Sequence, residues 1–335
     1  MAPKSVIGVD LGGTKTLLGL FDEKFHLLEE KKFKTPIADK DDRVFIREFS
    51  QAIDHLIIKS QIENLELVGV GVGCAGFVHG EKGVVNSSPN INFLKGYPLG
   101  ETIAKIAKSN VVIGHDVQVG LYGEHQLGAA VGLSQVIGVF LGTGIGGAII
   151  IDGKLYKGAT GYAGEIGHYM MQPLGPLAGS ERQGILDNIA SRHAIAGEAA
   201  ALAAKHWAPA LFAGVGADVS KINSQTLAES IKNGDKKIKE LVASRARTVG
   251  IVLANLVNFL SPEMVVLGGG LVEAMPSMIL SEVEKGIRDF TLREISRSLK
   301  VVQAKLRDHA ITTGAAKMVW DRFCQKREKY GMVVA

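Results

Sequence analysis

The sequence predicts an α/β protein made of two duplicated α/β domains around a cleft, and three observations carry that expectation. The 335 residues exceed a typical single domain. Glycine turns follow directly on short apolar runs at Asp10-Leu11-Gly12-Gly13-Thr14-Lys15, Gly142-Thr143-Gly144-Ile145-Gly146-Gly147 and Gly268-Gly269-Gly270. An apolar strand, a Gly-Thr turn, a second apolar strand, an acidic or glycine turn and a further strand occur in that order twice, as in a diverged duplication.

Ser5 to Asp10 reads as a strand, and Lys15 to Phe21 and Phe25 to Lys34 as two more, joined by Asp22-Glu23-Lys24 into a meander. The charged run Glu29 to Lys34 suits a solvated strand edge. From Val44 to Gln61, Phe45, Phe49, Ile53, Ile57 and Ile58 fall on one helical face. A strand over Leu67 to Val72, a helical turn over Ile103 to Ile106 and a short strand over Val111 to Ile113 follow, the last delivering His115 and Asp116. The second copy begins with a strand over Val136 to Leu141, then Ala148 to Asp152 and a hairpin through Gly153-Lys154-Leu155. Helical periodicity covers Ile189 to Lys205, Gln225 to Lys232 and Ile238 to Leu260, with Ser261-Pro262 as a stop. Met264 to Leu267 is a β run feeding the third glycine turn, and Met275 to Arg288 is again helical.

Composition narrows the function classes. The chain is 46% hydrophobic and 21% charged, ample for a core and without a disordered tract. A net charge of +4 with no basic stripe gives no reason to expect nucleic acid. Cys74 and Cys324 are the only cysteines, which suits a reducing cytoplasm, and neither is a promising nucleophile. No signal-peptide pattern opens the chain, and the Ala-rich stretch Ala194 to Ala213 is broken by Glu198, Lys205, His206 and Pro209, so it reads as a buried helix and exit loop, not a membrane span. The 41 glycines are the outlier. Glycine admits positive φ and lets backbone N–H groups approach an anion. One such turn alone reads as a plain hairpin, whereas all of them together suggest a divided phosphate cradle.

The motifs Asp10-Leu-Gly-Gly-Thr-Lys15, Leu141-Gly-Thr-Gly-Ile-Gly-Gly147, Gly164-Glu-Ile-Gly-His168 and Val266-Leu-Gly-Gly-Gly-Leu271, in that order, resemble those of the ROK family of sugar kinases, open-reading-frame proteins and repressors. The resemblance runs over nearly the whole chain. It implies an actin-like ATPase fold, with two ribonuclease-H-like domains around a nucleotide and sugar cleft. We expect a small domain over 1–115, a large domain over 116–309, and a C-terminal helix at about 310–330 that packs back on the small domain.

Phosphoryl transfer to a sugar hydroxyl needs an aligned nucleophile, a base, a metal and a charge clamp. Asp116 resembles the family's catalytic aspartate, which accepts the proton of the attacking hydroxyl. Read from its residues alone, it serves equally well as the cap of a helix containing Val119 to Glu124. Asp10, at a strand end, can hold Mg²⁺ or its water beside the β and γ phosphates. Gly12, Gly13, Thr14 and Lys15 then grip phosphate oxygens, although Thr14 also reads as a turn hydroxyl and Lys15 as an exposed strand residue. Thr143, Gly144 and Gly146 form the second half of the clamp, and Gly268, Gly269 and Gly270 resemble the family's adenosine contact. The second glycine turn also resembles a dinucleotide fingerprint, but it opens a hairpin and not a helix, which counts against that use.

Asn90, His115, Asp116, Glu165, His168 and Asp187 are the candidate sugar contacts. Asn90 lies in a Ser-Pro-Asn turn. Glu165 and His168, spaced by three, reach one side of a helical turn, and read equally as a capping or buried structural pair. Asp187 stands where the family carries a glutamate, and His115 where it carries an asparagine. An imidazole offers a different donor and acceptor set from an amide. The family's zinc module needs one histidine and three cysteines, and here Ala178, Ser180 and Ile185 stand at the cysteine positions, so no zinc is expected.

The expected function is transfer of the γ-phosphoryl group of Mg²⁺-ATP to the 6-hydroxyl of a hexose, glucose foremost, by a cytoplasmic homodimer without nucleic-acid or membrane partners. N-acetylmannosamine, N-acetylglucosamine and fructose are alternative acceptors, and polyphosphate or another nucleotide is an alternative donor. A non-catalytic sugar sensor or transcriptional regulator is the competing class. Only nine residues precede Asp10, too few for the winged helix-turn-helix of the family's repressors.

Overall fold

Two five-stranded sheets with the same order of strands organise the chain. The computed structural model describes residues 2–36, 42–79, 82–88, 91–172 and 183–324. They divide into two units, one from the described residues of Met1–Gly128 and His309–Ala335, the other from those of Ala129–Asp308.

In the first unit β1 (Lys4–Leu11), β2 (Lys15–Asp22) and β3 (Leu27–Lys34) form the expected meander, followed by α1 (Arg43–Ile62) and β4 (Glu66–Cys74). A small hairpin of β5 (Phe77–His79) and β6 (Val84–Ser87), then α2 (Leu99–Ala107), β7 (Asn110–His115) and α3 (Asp116–Leu127) complete this run. The second unit has β8 (Val136–Leu141), β9 (Ile145–Ile151) and β10 (Lys154–Leu155). Helices α4 (Asp187–Ala190), α5 (Arg192–Ala204), α6 (Pro209–Val215), α7 (Ser224–Lys232) and α8 (Lys236–Leu260) come next. It closes with β11 (Met264–Gly268), α9 (Gly270–Ala274), α10 (Pro276–Phe290), α11 (Arg293–Ser296) and β12 (Lys300–Gln303). Helix α12 (Ala310–Phe323) belongs to the first unit.

The sheet orders are β3-β2-β1-β4-β7 and β10-β9-β8-β11-β12. In both, the first strand pairs antiparallel with its hairpin partner and parallel with the strand on its other side. The duplication legible in the sequence is therefore a repeat of topology. The charged run from Glu29 lies on the edge strand β3, as expected.

Some expectations change. Strand β9 resumes at Ile145, not Ala148, so Gly146 and Gly147 pair with Phe140 and Val139 in the ladder and do not extend the turn. Pro209 opens α6 at its first turn, where a missing N–H costs nothing, and is not part of an exit loop. The third glycine turn leads into helix α9, unlike the other two, which close hairpins. Strand β12 and helix α9 are too short to leave a periodic signal.

The first sheet is packed differently on its two faces. Ile7, Val9 and Leu11 of β1, with Val70, Val72 and Cys74 of β4, form a core with Phe45, Phe49, Ile53 and Leu56 of α1. The alternate residues face α12, and here glycine replaces apolar bulk. A Cβ on Gly8 would lie 1.8 Å from the Thr312 carbonyl oxygen, one on Gly71 would lie 2.0 Å from that of Ala315, and one on Gly73 would lie 2.3 Å from Ile311 Cγ2. The helix backbone thus rests directly on β1 and β4. Where α12 crosses α3 the same device recurs, since a Cβ on Gly314 would lie 2.0 Å from the Val119 carbonyl oxygen. In the second unit α8 and α10 approach through Gly250 and Gly286, a Cβ on Gly250 falling 2.2 Å from the Val283 carbonyl oxygen. Much of the glycine excess therefore serves close packing and not anion binding.

Replacing Gly71 by Ala should push α12 off the sheet and cost about 3 kcal/mol, the upper range for overpacking. Gly197 lies in exposed helix with nothing within 4 Å of its added Cβ. Gly197→Ala should instead stabilise by about 0.5–1 kcal/mol. Denaturant titration of both variants checks the pair of signs.

Candidate active site

In the first unit the candidate residues collect at the carboxyl ends of three adjacent parallel strands, the position where open α/β sheets take ligands. Leu11 pairs with Cys74, and Cys74 with His115, so Asp10 and Asp116 flank the end of β4. The buried Cys74 thiol reports both of them. Burial is the main cause that pushes its pKa far up, and the Asp116 and Asp10 carboxylates add to it, which leaves this cysteine inert as a nucleophile.

The turn after β1 is fixed by its own backbone and by Thr35. Gly12 N–H donates to the Lys15 carbonyl at 3.1 Å, Thr35 Oγ1 donates to the Gly12 carbonyl at 2.7 Å, and Thr35 N–H donates to the Thr14 carbonyl at 3.2 Å. Carbonyls that would repel a phosphate are thereby engaged on the protein side. Gly13 and Thr14 sit at the tip, and Lys15 begins β2.

Asp116 is the first residue of α3, and His115 takes the capping position. Its Oδ1 accepts the Val117 N–H at 2.7 Å and lies 3.4 Å from His115 Nε2. The carboxylate is thus tethered by one oxygen to the start of the helix. It does so from inside the first turn, not as the cap. Burial raises its pKa above the ordinary aspartate value, and His115 and the Val117 N–H oppose that rise.

In the second unit the remaining candidates converge on the β8–β9 turn. Gly142 N–H donates to the Gly144 carbonyl at 2.9 Å. Asp187 Oδ1 accepts the Ile145 N–H at 2.5 Å, and a Cβ on Gly144 would lie 2.9 Å from that same oxygen. Asp187 therefore shapes the glycine turn. Glu165 and His168 stand at the two ends of a single 3₁₀ turn over Ile166–His168, whose i,i+3 side chains eclipse. That turn lies against β9, since a Cβ on Gly167 would fall 2.2 Å from the Ile145 carbonyl oxygen and 3.6 Å from Asp187 Cβ. Burial raises the Asp187 pKa, while the Ile145 N–H, His168 and His193 lower it.

Gly268 ends β11 beside Phe140 of β8, so the third glycine turn adjoins the second. Gly269 adopts φ of 88°, and a Cβ there would meet the Leu141 carbonyl oxygen at 2.6 Å. Asn90, Ala178 and Ser180 lie outside the described residues. Ile185 is buried and bridges to Met170, an apolar side chain where a zinc ligand would be needed.

Sequence reasoning did not single out Thr35, Arg192 or His193. Arg192 Nη2 donates to Thr143 Oγ1 at 2.8 Å, and Arg192 and His193 N–H groups donate to the Gly142 and Thr143 carbonyls at 3.1 and 3.3 Å. The available signal was a basic residue directly behind the helix cap Ser191. For Thr35 no signal exists in the sequence.

Asp187→Ala should leave the buried Ile145 N–H unpaired and cost about 1–3 kcal/mol. Asp187→Asn, which keeps an oxygen acceptor, should cost less, and thermal melts of both variants decide it.

The ROK family model matches residues 6–322. A glucokinase of Streptomyces coelicolor is 30% identical over 93% of this chain and 96% of its own length. A xylose repressor of Caldicellulosiruptor bescii is 26% identical over 94% of this chain and 78% of its own length. Among solved structures, a ROK family glucokinase from Streptomyces griseus in complex with glucose and AMPPNP matches with a TM-score of 0.82 and 30% identity, covering 94% of this chain and 98% of that one. The two sheets of equal strand order are the actin-like ATPase fold shared with these proteins. On fold, motif order and a match spanning nearly every residue, the chain belongs to the ROK family.

Proposed function

We propose that this chain is a sugar kinase that transfers the γ-phosphoryl group of ATP to the 6-hydroxyl of a hexose, glucose first, with Asp116 as general base. The observation that carries the reading is Asp116 itself, a partly buried carboxylate at a parallel strand end, with side-chain exposure of 21% and one oxygen pinned by the Val117 N–H. Pinning by Oδ1 leaves Oδ2 as the acceptor for a hydroxyl proton. As the sugar oxygen bonds to the γ-phosphorus, the bond to the ADP oxygen breaks and the hydroxyl proton passes to that carboxylate. Burial raises its pKa, which makes the ionised carboxylate a stronger base.

Asp10 fits a hard cation, being a carboxylate oxygen donor at a strand end. It would hold Mg²⁺, directly or through water, and the ion would supply charge neutralisation at the phosphate oxygens. Gly12, Gly13, Thr14 and Lys15 in one unit, and Thr143, Gly144 and Gly146 in the other, are assigned to phosphate, with Gly268, Gly269 and Gly270 assigned to adenosine. Sugar hydroxyls are assigned to Asn90, His115, Glu165 and His168. For Asp187 the bond to Ile145 N–H supports a role in holding the turn ahead of a sugar contact. The homodimer and cytoplasmic setting expected from the sequence remain part of this reading.

Asp116→Asn should lower kcat by orders of magnitude and leave ATP affinity nearly unchanged. The same change should not lower Tm, because an aspartate whose pKa is raised on folding is stabler protonated and its ionised form destabilises the fold at neutral pH. For the parent chain the acidic limb of kcat/KM should lie above pH 3.8, the unperturbed aspartate value. Steady-state kinetics over pH, ATP titration and thermal melts of parent and variant check these, and a screen with glucose, mannose, fructose, N-acetylglucosamine and N-acetylmannosamine against ATP and polyphosphate identifies acceptor and donor. Inactivity on every pair, with sugar binding retained, would replace the kinase by a sensor related in role to the repressor.

A further inference from the structure

Arg192 stands where an arginine works against the local structure. It is the first residue of the 13-residue helix α5, behind the cap Ser191, whose hydroxyl oxygen accepts the Ala194 N–H at 3.2 Å. A cation there meets the positive end of the helix dipole. The side chain is partly buried, and burial pulls the guanidinium pKa down. Among the described residues it donates to neutral oxygens only, Nη2 to Thr143 Oγ1 at 2.8 Å and Nη1 to the Ile222 carbonyl at 3.2 Å. A helix-dipole conflict and desolvation without a compensating carboxylate are the kind of broken local rule that gathers at functional sites.

The bonds also orient a neighbour. Thr143 Oγ1, once it accepts from the guanidinium, has its own O–H to donate outward, and the guanidinium has five N–H donors in total. The Arg192 and His193 amides hold the carbonyls of Gly142 and Thr143, which turns those oxygens toward the helix and away from an incoming anion. Cation, hydroxyl and glycine backbone then meet at one turn within one unit.

We infer that Arg192 is a phosphate-binding residue whose guanidinium, with the Thr143 hydroxyl it fixes, takes an anionic oxygen of a polyphosphate chain at the Gly142–Gly144 turn. The kinase reading identifies that chain as part of ATP; the anion site itself rests on the geometry. A bound phosphate oxygen would give the guanidinium the negative partner that no described residue supplies.

Calorimetric titration of the full chain with inorganic tripolyphosphate, ATP and adenosine tests this for the parent, Arg192→Gln and Arg192→Lys. Arg192→Gln should weaken tripolyphosphate and ATP about tenfold or more, the scale of a lost charged hydrogen bond. Adenosine binding and Tm should hold or, for Tm, rise, and Arg192→Lys should recover part of the affinity. Equal tripolyphosphate binding by the parent and Arg192→Gln overturns the inference even if the chain phosphorylates a hexose. Equal weakening of adenosine also overturns it, since that marks a merely structural role. A chain inert toward every sugar, yet losing tripolyphosphate with Arg192→Gln, keeps the anion site and loses the kinase.

Discussion

The contact of a helix backbone with a bare sheet surface governs the first unit. Glycines alternate along β4 at Gly69, Gly71 and Gly73, so over this stretch one face of the strand is apolar and packs on α1 while the other carries no side chains. With Gly8 of β1 they let α12 settle onto the strands at backbone distance. Helix α3 is then placed by Gly123 and Gly314, each of whose added Cβ would strike the other helix. Because α3 begins with Asp116, and a Cβ on Gly73 would lie 3.4 Å from the Asp116 Cα, the position of the candidate base follows from this packing. Close packing leaves few alternative positions for the base, and that rigidity is what proton transfer requires.

The same logic makes the candidate site a place of opposed interests. Burial raises the pKa of Asp116 and of Asp187 and lowers that of Arg192. Each charged form is therefore less favourable in the fold than in water, and each is tethered by a backbone or hydroxyl bond that fixes its direction. Of the three, only the Arg192 guanidinium would meet an opposite charge in a phosphate chain.

The second unit shows how repeated topology carries different chemistry. Both sheets end their first strand in a Gly-Thr hairpin turn. In the first copy the turn is braced by Thr35 across the meander, and in the second by Asp187 and Arg192 from the helical region that follows the hairpin. Duplication preserves the backbone path, while the residues that brace it come from wherever each unit has an element nearby.

The glycine turns, the meander, the helical faces of α1 and α8 and the duplication are legible in the sequence, because each is a short-range pattern whose period or turn chemistry survives without knowledge of partners. The strand-end placement of Asp10 and Asp116 is legible for the same reason. Asp187 is not: the family resemblance suggests a sugar ligand, and only the fold brings it to the Ile145 N–H, 42 residues away in sequence. The bond from Arg192 to Thr143, across 49 residues, is equally silent. The Gly69-Gly71-Gly73 alternation is plain in the sequence, yet it reads as a weak strand until α12 is known to lie on it. Local periodicity thus determined the elements and the chemistry-bearing ends of strands, while contacts between residues distant in sequence decided which backbone each charged side chain restrains, because such pairings depend on packing that no short window of residues contains.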